Sequence, residues 1–160
     1  MDLWEANSAA TALTPHPCNT TALYACQGAL CGNNNDRYAG VCDKDGCDFN
    51  PYRNGARSLY SPKGTVDTNK VMTVVTQFIT TTGDDKGDLK EIRRIYVQDG
   101  KVIENAVVQN PALGNGNSMT DEYCAKKRAA FSEKSNFASQ GGLKGMSDAL
   151  KQGMVLIFSV

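Results

Sequence analysis

Six cysteines constrain the fold of this chain more than any other feature of its sequence. Five of them lie within thirty residues and the sixth lies far away: Cys18, Cys26, Cys31, Cys42, Cys47 and Cys124. Six thiols can pair in fifteen ways, so spacing alone leaves the connectivity open. A zinc cluster is the alternative, but no C-x2-C spacing occurs and the single histidine lies outside the cysteine run. The pattern favours disulfides, and therefore an oxidising, secretory compartment.

The two ends of the chain indicate an internal piece of a longer protein. Asp2 and Glu5 stand where a signal peptide needs basic and apolar residues, although disulfides require export. Residues 154–160 form an apolar, β-rich run typical of a buried strand, and the sequence stops there without a turn. One glycosylation sequon, Asn19-Thr20-Thr21, agrees with a secreted parent. We therefore expect further segments on both sides.

The region between the ends is mostly β in pattern. Residues 18–64 are rich in Cys, Gly, Asn and Asp with little periodicity, which predicts long, disulfide-stapled loops. Residues 70–80 are dense in β-branched side chains and predict a central strand, with a turn at 83–88. The 17 basic and 17 acidic residues balance, so the sequence favours neither a nucleic-acid nor a membrane partner.

A hairpin and two helices complete the prediction. Residues 92–98 and 101–108 flank Asp99-Gly100, a pair suited to a type I′ turn. Thr120 is a candidate cap for a helix over 121–131, and a second helix over 143–151 would be closed by Gly153. Many strands and few helices predict a β-sandwich or barrel, either one globular domain or part of one.

Asp2 and Glu5 are the first candidates for chemistry. Two acids three residues apart are common on any solvated surface, and that interpretation needs no function. They flank Leu3 and Trp4 in a strand-like segment, however, which favours carboxylates that line a cleft. Retaining glycoside hydrolysis needs two carboxyl groups about 5–5.5 Å apart. In a regular strand these two side chains would point to opposite faces, so the interpretation requires a bulge or bend between them.

The first eight residues, MDLWEANS, closely resemble the catalytic strand of glycoside hydrolase family 7, whose motif reads E-x-D-x-x-E-A-N. Further segments resemble the family in the same order: 13–18 (LTPHPC), 36–43 (DRYAGVCD), 45–53 (DGCDFNPYR), 74–78 (VVTQF), 96–100 (YVQDG) and 153–156 (GMVL). The resemblance implies a mainly β, concanavalin A-like sandwich (jelly roll) with long disulfide-stapled loops. Residues 1–160 would then be part of the catalytic domain, without its N- and C-terminal parts.

The resemblance also implies the chemistry. The activity would be retaining hydrolysis of β-1,4-glucosidic bonds in cellulose, with Glu5 as general acid/base and Asp2 as the carboxylate that orients the nucleophile. The nucleophile would be a Glu immediately before Met1, so the chain alone is expected to be inactive. The implied disulfides are Cys18–Cys42, Cys26–Cys31 and Cys47–Cys124.

The substrate-binding residues implied by the resemblance lie after the acids. His16 is a candidate contact near the leaving group, although a structural role between two prolines is the alternative. The product-side candidates are Arg37, Tyr38, Asp45, Asp48 and Arg53. Without the family, the charged members would be interpreted as surface salt bridges, and Tyr38 as a packing residue. Charged groups of this kind make strong hydrogen bonds to sugar hydroxyls.

The mode of action has two alternatives in the family. The Cys26 to Cys31 loop and the stretch from Arg37 to Cys42 are typical of cellobiohydrolases, which enclose a single glucan chain and release cellobiose processively. The tip at residues 32–36 is short and lacks an aromatic side chain, so we expect a roof that opens readily. An endoglucanase and a non-catalytic glucan-binding relative are the alternatives, and a purely structural stapled domain explains less. We expect a secreted monomer that binds a cellulose chain and cellobiose, without cofactor or metal.

Overall fold

The chain is mainly β, with strands near both ends and in the middle of the sequence. The computed structural model describes residues 1–20, 22–33 and 36–160. Two predictions include residues outside these ranges: the sequon at Asn19 depends on Thr21, and the roof tip includes residues 34 and 35. Within the described ranges the strands are β1 (Asp2–Ala6), β2 (Thr11–Thr14), β3 (Tyr60–Ser61), β4 (Val66–Asp67), β5 (Thr73–Thr80), β6 (Leu89–Gln98), β7 (Lys101–Glu104) and β8 (Ile157–Ser159).

Two three-stranded sheets organise the described part of the chain. In the first, β1 is central, antiparallel to β2 and parallel to β8. In the second, β5, β6 and β7 form an antiparallel meander, while β3 and β4 make a short parallel pair. The prediction that residues 70–80 form a central strand is wrong in position, because β5 lies at the sheet edge. The central strand is β6, whose Leu89, Ile92 and Tyr96 are buried.

The predicted hairpin is confirmed, and it joins β6 to β7. Asp99 and Gly100 have φ angles of 51° and 72°, the pair of positive values that a type I′ turn requires. The second strand ends at Glu104 rather than at residue 108. Val108 donates its N–H to Gly116 and Gln109 donates to Asn54, so the backbone leaves the ladder for loop partners.

Two helices and a pair of short 3-10 turns complete the fold: α1 (Asp121–Ala130), α2 (Gly142–Lys151), Gly28–Cys31 and Pro111–Leu113. The predicted helices are confirmed to within about a residue. The Thr120 side chain caps α1 by accepting a hydrogen bond from the N–H of Tyr123. None of the described helices is long and apolar enough to cross a membrane.

Two hydrophobic clusters form the core, and β1 contributes to both. Buried side chains of α1, α2 and β6 make the first cluster, against which Leu3 packs. Tyr60, Val66 and Tyr96 belong to the second, against which Trp4 packs with ring centroids 5.8 Å from Tyr60. The two neighbouring side chains of β1 are therefore both directed to the interior, where they anchor the strand.

The C-terminal apolar run is not buried as predicted. β8 pairs with β1 through its backbone, but Phe158 is 62% and Val155 80% exposed. An apolar strand is buried only when a second layer covers its face, and no layer within the described ranges does so. The composition of the run predicted its strand conformation correctly and its environment wrongly.

Three disulfides staple the loops, and they join the pairs implied by the resemblance: Cys18–Cys42, Cys26–Cys31 and Cys47–Cys124. All six sulfur atoms are bonded in this way, so none remains as a thiolate for the zinc alternative. Cys47–Cys124 ties the segment that follows β2 to the first turn of α1. This segment carries most of the predicted product-side residues.

Candidate active site

A β-bulge in β1 determines where the two candidate acids point. Asp2 pairs with Thr14, but Glu5 pairs with Ala12, so three steps along β1 match two along β2. On the other edge Asp2 pairs with Ile157 and Trp4 with Phe158, which again leaves one residue of β1 without a partner. Leu3 is paired in neither ladder and is therefore the extra residue. The bulge that the sequence interpretation requires lies between the two acids.

The hydrogen bonds of the acids locate both carboxylates on one face. Asp2 Oδ2 lies 2.8 Å from His16 Nε2, and Glu5 Oε2 accepts a hydrogen bond of 2.8 Å from the Thr14 hydroxyl. Asp2 is also the ladder partner of Thr14, so the side chains of these two residues extend from the same face of the sheet. Without the bulge, the side chains of Asp2 and Glu5 would point to opposite faces of the strand. The side chains of Asp2 and His16 are 24% and 23% exposed, which leaves this face accessible.

His16 lies between two hydrogen-bond acceptors. Its Nδ1 is 2.9 Å from the Asp43 carbonyl oxygen, and its Nε2 faces the Asp2 carboxyl group. A neutral imidazole has one N–H and cannot donate to both. The two contacts hold the imidazole ring in place on the face that also carries Glu5.

Gly46 allows the product-side segment to lie against the acids. It has a φ of 67°, and a Cβ atom there would lie 2.6 Å from Thr14 Cγ2 and 2.8 Å from His16 Cε1. Any larger residue would be strained in backbone conformation and would push away the two side chains that contact Glu5 and Asp2. The absence of a side chain at Gly46 therefore allows the segment that carries Asp45 and Asp48 to lie close to the two acids.

Four of the five predicted product-side residues line one cavity of about 240 Å3: Tyr38, Asp45, Asp48 and Arg53. The fifth, Arg37, holds the Asp45 carboxylate through a hydrogen bond of 2.6 Å from its Nε. Partial burial, followed by the neighbouring Asp45 carboxylate, raises the pKa of the Tyr38 hydroxyl above its ordinary value of 10.0. The hydroxyl therefore stays a hydrogen-bond donor at any pH at which the protein would work.

Two further residues of this cavity were missed by the sequence interpretation. Lys127 of α1 is 3% exposed, donates a hydrogen bond of 2.7 Å to Glu133, and forms a salt bridge of 2.6 Å with Asp48. Arg53 contacts the same two carboxylates, 3.5 Å from Asp48 and in a short hydrogen bond with Glu133. The four groups form a closed ring in which positive and negative charges alternate; we call Asp48, Arg53, Lys127 and Glu133 the charge ring.

A signal for Lys127 is present in the sequence. Tyr123, Cys124 and Lys127 follow the spacing of one helix face, and the first two are buried. A lysine on the buried face of a helix requires a nearby carboxylate, because an unpaired buried ammonium group is expensive. Nothing local predicts Glu133 as that partner, since it lies beyond the end of the helix.

The charge ring predicts a loss of stability in acid. Burial opposes ionisation of Glu133, but hydrogen bonds from Lys127 and Arg53 outweigh it and lower its pKa below the ordinary 4.5. A lowered folded-state pKa stabilises the fold above about pH 4.5, and this contribution disappears as the pH falls through the folded-state value. In the intact protein, Glu133→Gln is expected to lower Tm most near neutral pH and progressively less towards about pH 3.

Melting curves of parent and variant across this pH range test the prediction. Glu122→Gln is the matched control, because Glu122 also pairs with a lysine but its side chain is 75% exposed. We expect the control to change Tm little at any pH. A Tm difference for Glu133→Gln that is constant with pH would contradict the assignment.

Comparison with known proteins identifies the family. The family model described as glycosyl hydrolase family 7 matches residues 1–160. The chain is similar to the crystal structure of a GH7 family cellobiohydrolase from Daphnia pulex, with a TM-score of 0.91 and 46% identity. It is also similar to an endoglucanase I complexed with cellobiose, with a TM-score of 0.82 and 40% identity. A third similar structure is a cellobiohydrolase from Melanocarpus albomyces complexed with cellotetraose, with a TM-score of 0.82 and 33% identity.

The similarity extends over almost the whole of this chain but over a smaller part of its relatives. For the Daphnia protein and for the endoglucanase, the similarity covers 95% of this chain and 35% of the other chain. For the Melanocarpus protein it covers 94% of this chain and 34% of the other chain. The chain thus spans about a third of the length of these structures. The likeness confirms the predicted fold class, a mainly β sandwich (jelly roll) with stapled loops and few short helices. The chain belongs to glycosyl hydrolase family 7.

Proposed function

We propose that this chain is part of a secreted, monomeric catalytic domain that hydrolyses β-1,4-glucosidic bonds in cellulose with retention of configuration. The observation that carries the proposal is the bulge at Leu3, which directs Asp2 and Glu5 to one accessible face. Membership of a glycoside hydrolase family and paired carboxylates on one face together fit this chemistry. The three disulfides fit export to an oxidising compartment.

The proposed reaction has two steps. The carboxylate of a Glu immediately before Met1 attacks the anomeric carbon while the glycosidic C–O bond breaks and Glu5 gives its proton to the leaving oxygen. Water then attacks the anomeric carbon of the resulting glycosyl ester while Glu5 takes a proton from that water, and the ester C–O bond breaks to release the nucleophile as a carboxylate. Asp2 orients the nucleophile, and His16 fixes Asp2 through its 2.8 Å contact. Thr14 holds the Glu5 carboxylate in the same way.

The product would bind next to the acids in the cavity that contains the charge ring. Tyr38, Asp45, Asp48 and Arg53 present hydroxyl, carboxylate and guanidinium groups that can bond to sugar hydroxyls. A sugar is uncharged, so its binding site needs no net charge. The charge ring contains two cations and two anions, and it therefore offers polar groups while its net charge is zero. One of the related structures is a complex with cellobiose, which supports this disaccharide as the proposed product.

The test is to express the entire domain, including the upstream residue, with soluble cello-oligosaccharides as substrates. We expect β-anomeric cellobiose as the initial product, followed by NMR before mutarotation. An α-anomeric product would contradict the retaining mechanism. Binding of oligosaccharides without turnover, together with a residue other than Glu before Met1, would support a glucan-binding relative instead.

Processive release of cellobiose from chain ends is the favoured mode of action. The Cys26–Cys31 loop is present, and the Daphnia cellobiohydrolase is more similar to the chain than the endoglucanase is, in both identity and TM-score. The Melanocarpus cellobiohydrolase, at 33% identity, is less similar than the endoglucanase, so the loop is the main support for this mode. Endo-action is the second candidate, since an endoglucanase is also among the similar structures. The ratio of soluble to insoluble reducing ends released from a cellulose film distinguishes them. A ratio well above one supports processive action, and a ratio near one supports endo-action.

A further inference from the structure

Arg94 of β6 is a buried cation whose contacts differ from those of the other buried cation, Lys127. It is 5% exposed, and within the described ranges it takes part in no salt bridge. Burial lowers its pKa below the ordinary value of 12.5, which still leaves it charged at neutral pH. A buried charge of this kind destabilises a fold unless it is strongly hydrogen bonded, so its partners are informative.

Two of the contacts of Arg94 lie in β1. Its Nη2 donates a hydrogen bond of 2.6 Å to the carbonyl oxygen of Leu3, 91 positions away in sequence. Its guanidinium also lies over the ring of Trp4, 5.0 Å from the ring centroid. A single side chain therefore contacts both residues that separate Asp2 from Glu5.

Leu3 is the residue at which β1 departs from a regular strand. It has no partner in the ladder with β2 or in the ladder with β8. A bulged residue leaves its backbone groups without their usual ladder partners, and a buried carbonyl needs a donor. Arg94 supplies that donor at the position where the strand must be irregular to direct both acids to one face.

We propose that Arg94 is a positioning residue for the candidate active site: its guanidinium holds the bulge at Leu3 and thereby keeps Asp2 and Glu5 on the same face of β1. This inference rests on the proposed function, and it adds a residue that lies in the core, on a different sheet from the acids. Arg94 acts through the backbone of β1 and has no part in proton transfer.

The chemistry of arginine suits this position. The guanidinium group is planar, so it can stack on Trp4 and donate in its own plane to the Leu3 carbonyl at the same time. The ammonium group of Arg94→Lys could retain the charge and a hydrogen bond to the Leu3 carbonyl, but it has no plane to stack on Trp4. The two functions can therefore be separated by substitution.

The experiment uses the entire catalytic domain with Arg94→Lys, Arg94→Met and Arg94→Ala. For Arg94→Met we expect kcat on soluble oligosaccharides to fall about 100-fold, the effect of a misplacement of about 1 Å. The Kd for cellobiose should stay within about twofold, because Arg94 lies outside the product cavity. Arg94→Lys should retain an intermediate kcat, and added guanidinium should restore part of the activity of Arg94→Ala.

Thr11→Val is the matched control. Thr11 lines the same small cavity as Arg94 and is also buried, but it pairs with Ala6 rather than with Leu3. It should leave kcat unchanged without lowering Tm, because the Thr11 hydroxyl is buried and has no hydrogen-bond partner among the described residues. If Arg94→Met folds with kcat near that of the parent, or if Thr11→Val lowers kcat as much as Arg94→Met does, the positioning role is overturned.

Failure of the proposed function gives a different result. In that case the unsubstituted domain itself has no glycosidase activity, and the inference falls with the proposed function on which it rests. If the unsubstituted domain is active but Arg94→Met fails to fold, Arg94→Lys and Arg94→Ala still report on the same contact. Restoration of activity in Arg94→Ala by guanidinium then tests the positioning role. Activity that guanidinium does not restore in Arg94→Ala, with Arg94→Lys fully active, would overturn it.

Discussion

Glu5→Gln is expected to reduce the turnover of cellulose by about 10²–10⁴-fold while the affinity for cellobiose stays unchanged. The amide preserves the shape of the side chain, and its nitrogen or oxygen can still contact the Thr14 hydroxyl and Ser159. It cannot give a proton to the leaving oxygen or take one from water, so both steps of the proposed reaction are slowed. Steady-state hydrolysis of cello-oligosaccharides and calorimetric binding of cellobiose measure the two quantities separately.

A substrate with an activated leaving group provides the control for this prediction. In a dinitrophenyl glycoside of cellobiose, the dinitrophenolate leaving group departs without protonation. Formation of the glycosyl ester should therefore stay fast in Glu5→Gln, while its hydrolysis, which needs a base, should be slow. We therefore expect a rapid burst of phenolate followed by slow turnover, with the glycosyl ester accumulating. Loss of the burst together with the steady-state rate would indicate a disturbed site rather than a missing acid, and the role of Glu5 would be withdrawn.

Removal of the Cys47–Cys124 disulfide, by Cys47→Ser with Cys124→Ser, is expected to lower the free energy of unfolding by about 4.5 kcal/mol by loop entropy. The two residues are 77 positions apart, so the bond excludes many conformations of the unfolded chain. Cys47 also lies between Asp45 and Asp48, so the affinity for cellobiose should fall as well. Denaturant unfolding of the entire domain measures the first effect and calorimetry the second.

The Cys26–Cys31 pair is the matched control, since it closes a loop of only 5 positions. Its removal should lower the free energy of unfolding by about 2 kcal/mol on the same entropic basis. It should leave the affinity for cellobiose unchanged, because neither cysteine is adjacent in sequence to a residue that lines the product cavity, whereas Cys47 lies between two such residues. Equal losses for the two double variants would mean that strain or residual structure outweighs loop entropy in this domain.

Local signals in the sequence predicted the local features of this fold. The Asp99-Gly100 turn and the Thr120 cap each depend on a few adjacent residues, and both occur where predicted. The requirement for a bulge between Asp2 and Glu5 also followed from strand geometry alone. These features need no knowledge of what the segments pack against.

Features that join distant segments were not predictable in the same way. The contact of Arg94 with Leu3 spans 91 positions, and Arg53 meets Glu133 across 80. Neither arginine differs in its sequence context from one on a solvated surface. The exposed face of β8 is the converse case, because its composition indicated burial while the environment depends on what covers the sheet.

The charge ring has a consequence for how the proposed product cavity behaves in different solutions. Two cations and two anions that alternate within contact distance produce fields that cancel beyond a few ångströms. Such a cavity attracts no cloud of counterions, so an uncharged sugar displaces none when it enters. We therefore expect affinity for the proposed product to depend on hydrogen bonds and shape and to change little with ionic strength, which weakens so many recognition surfaces.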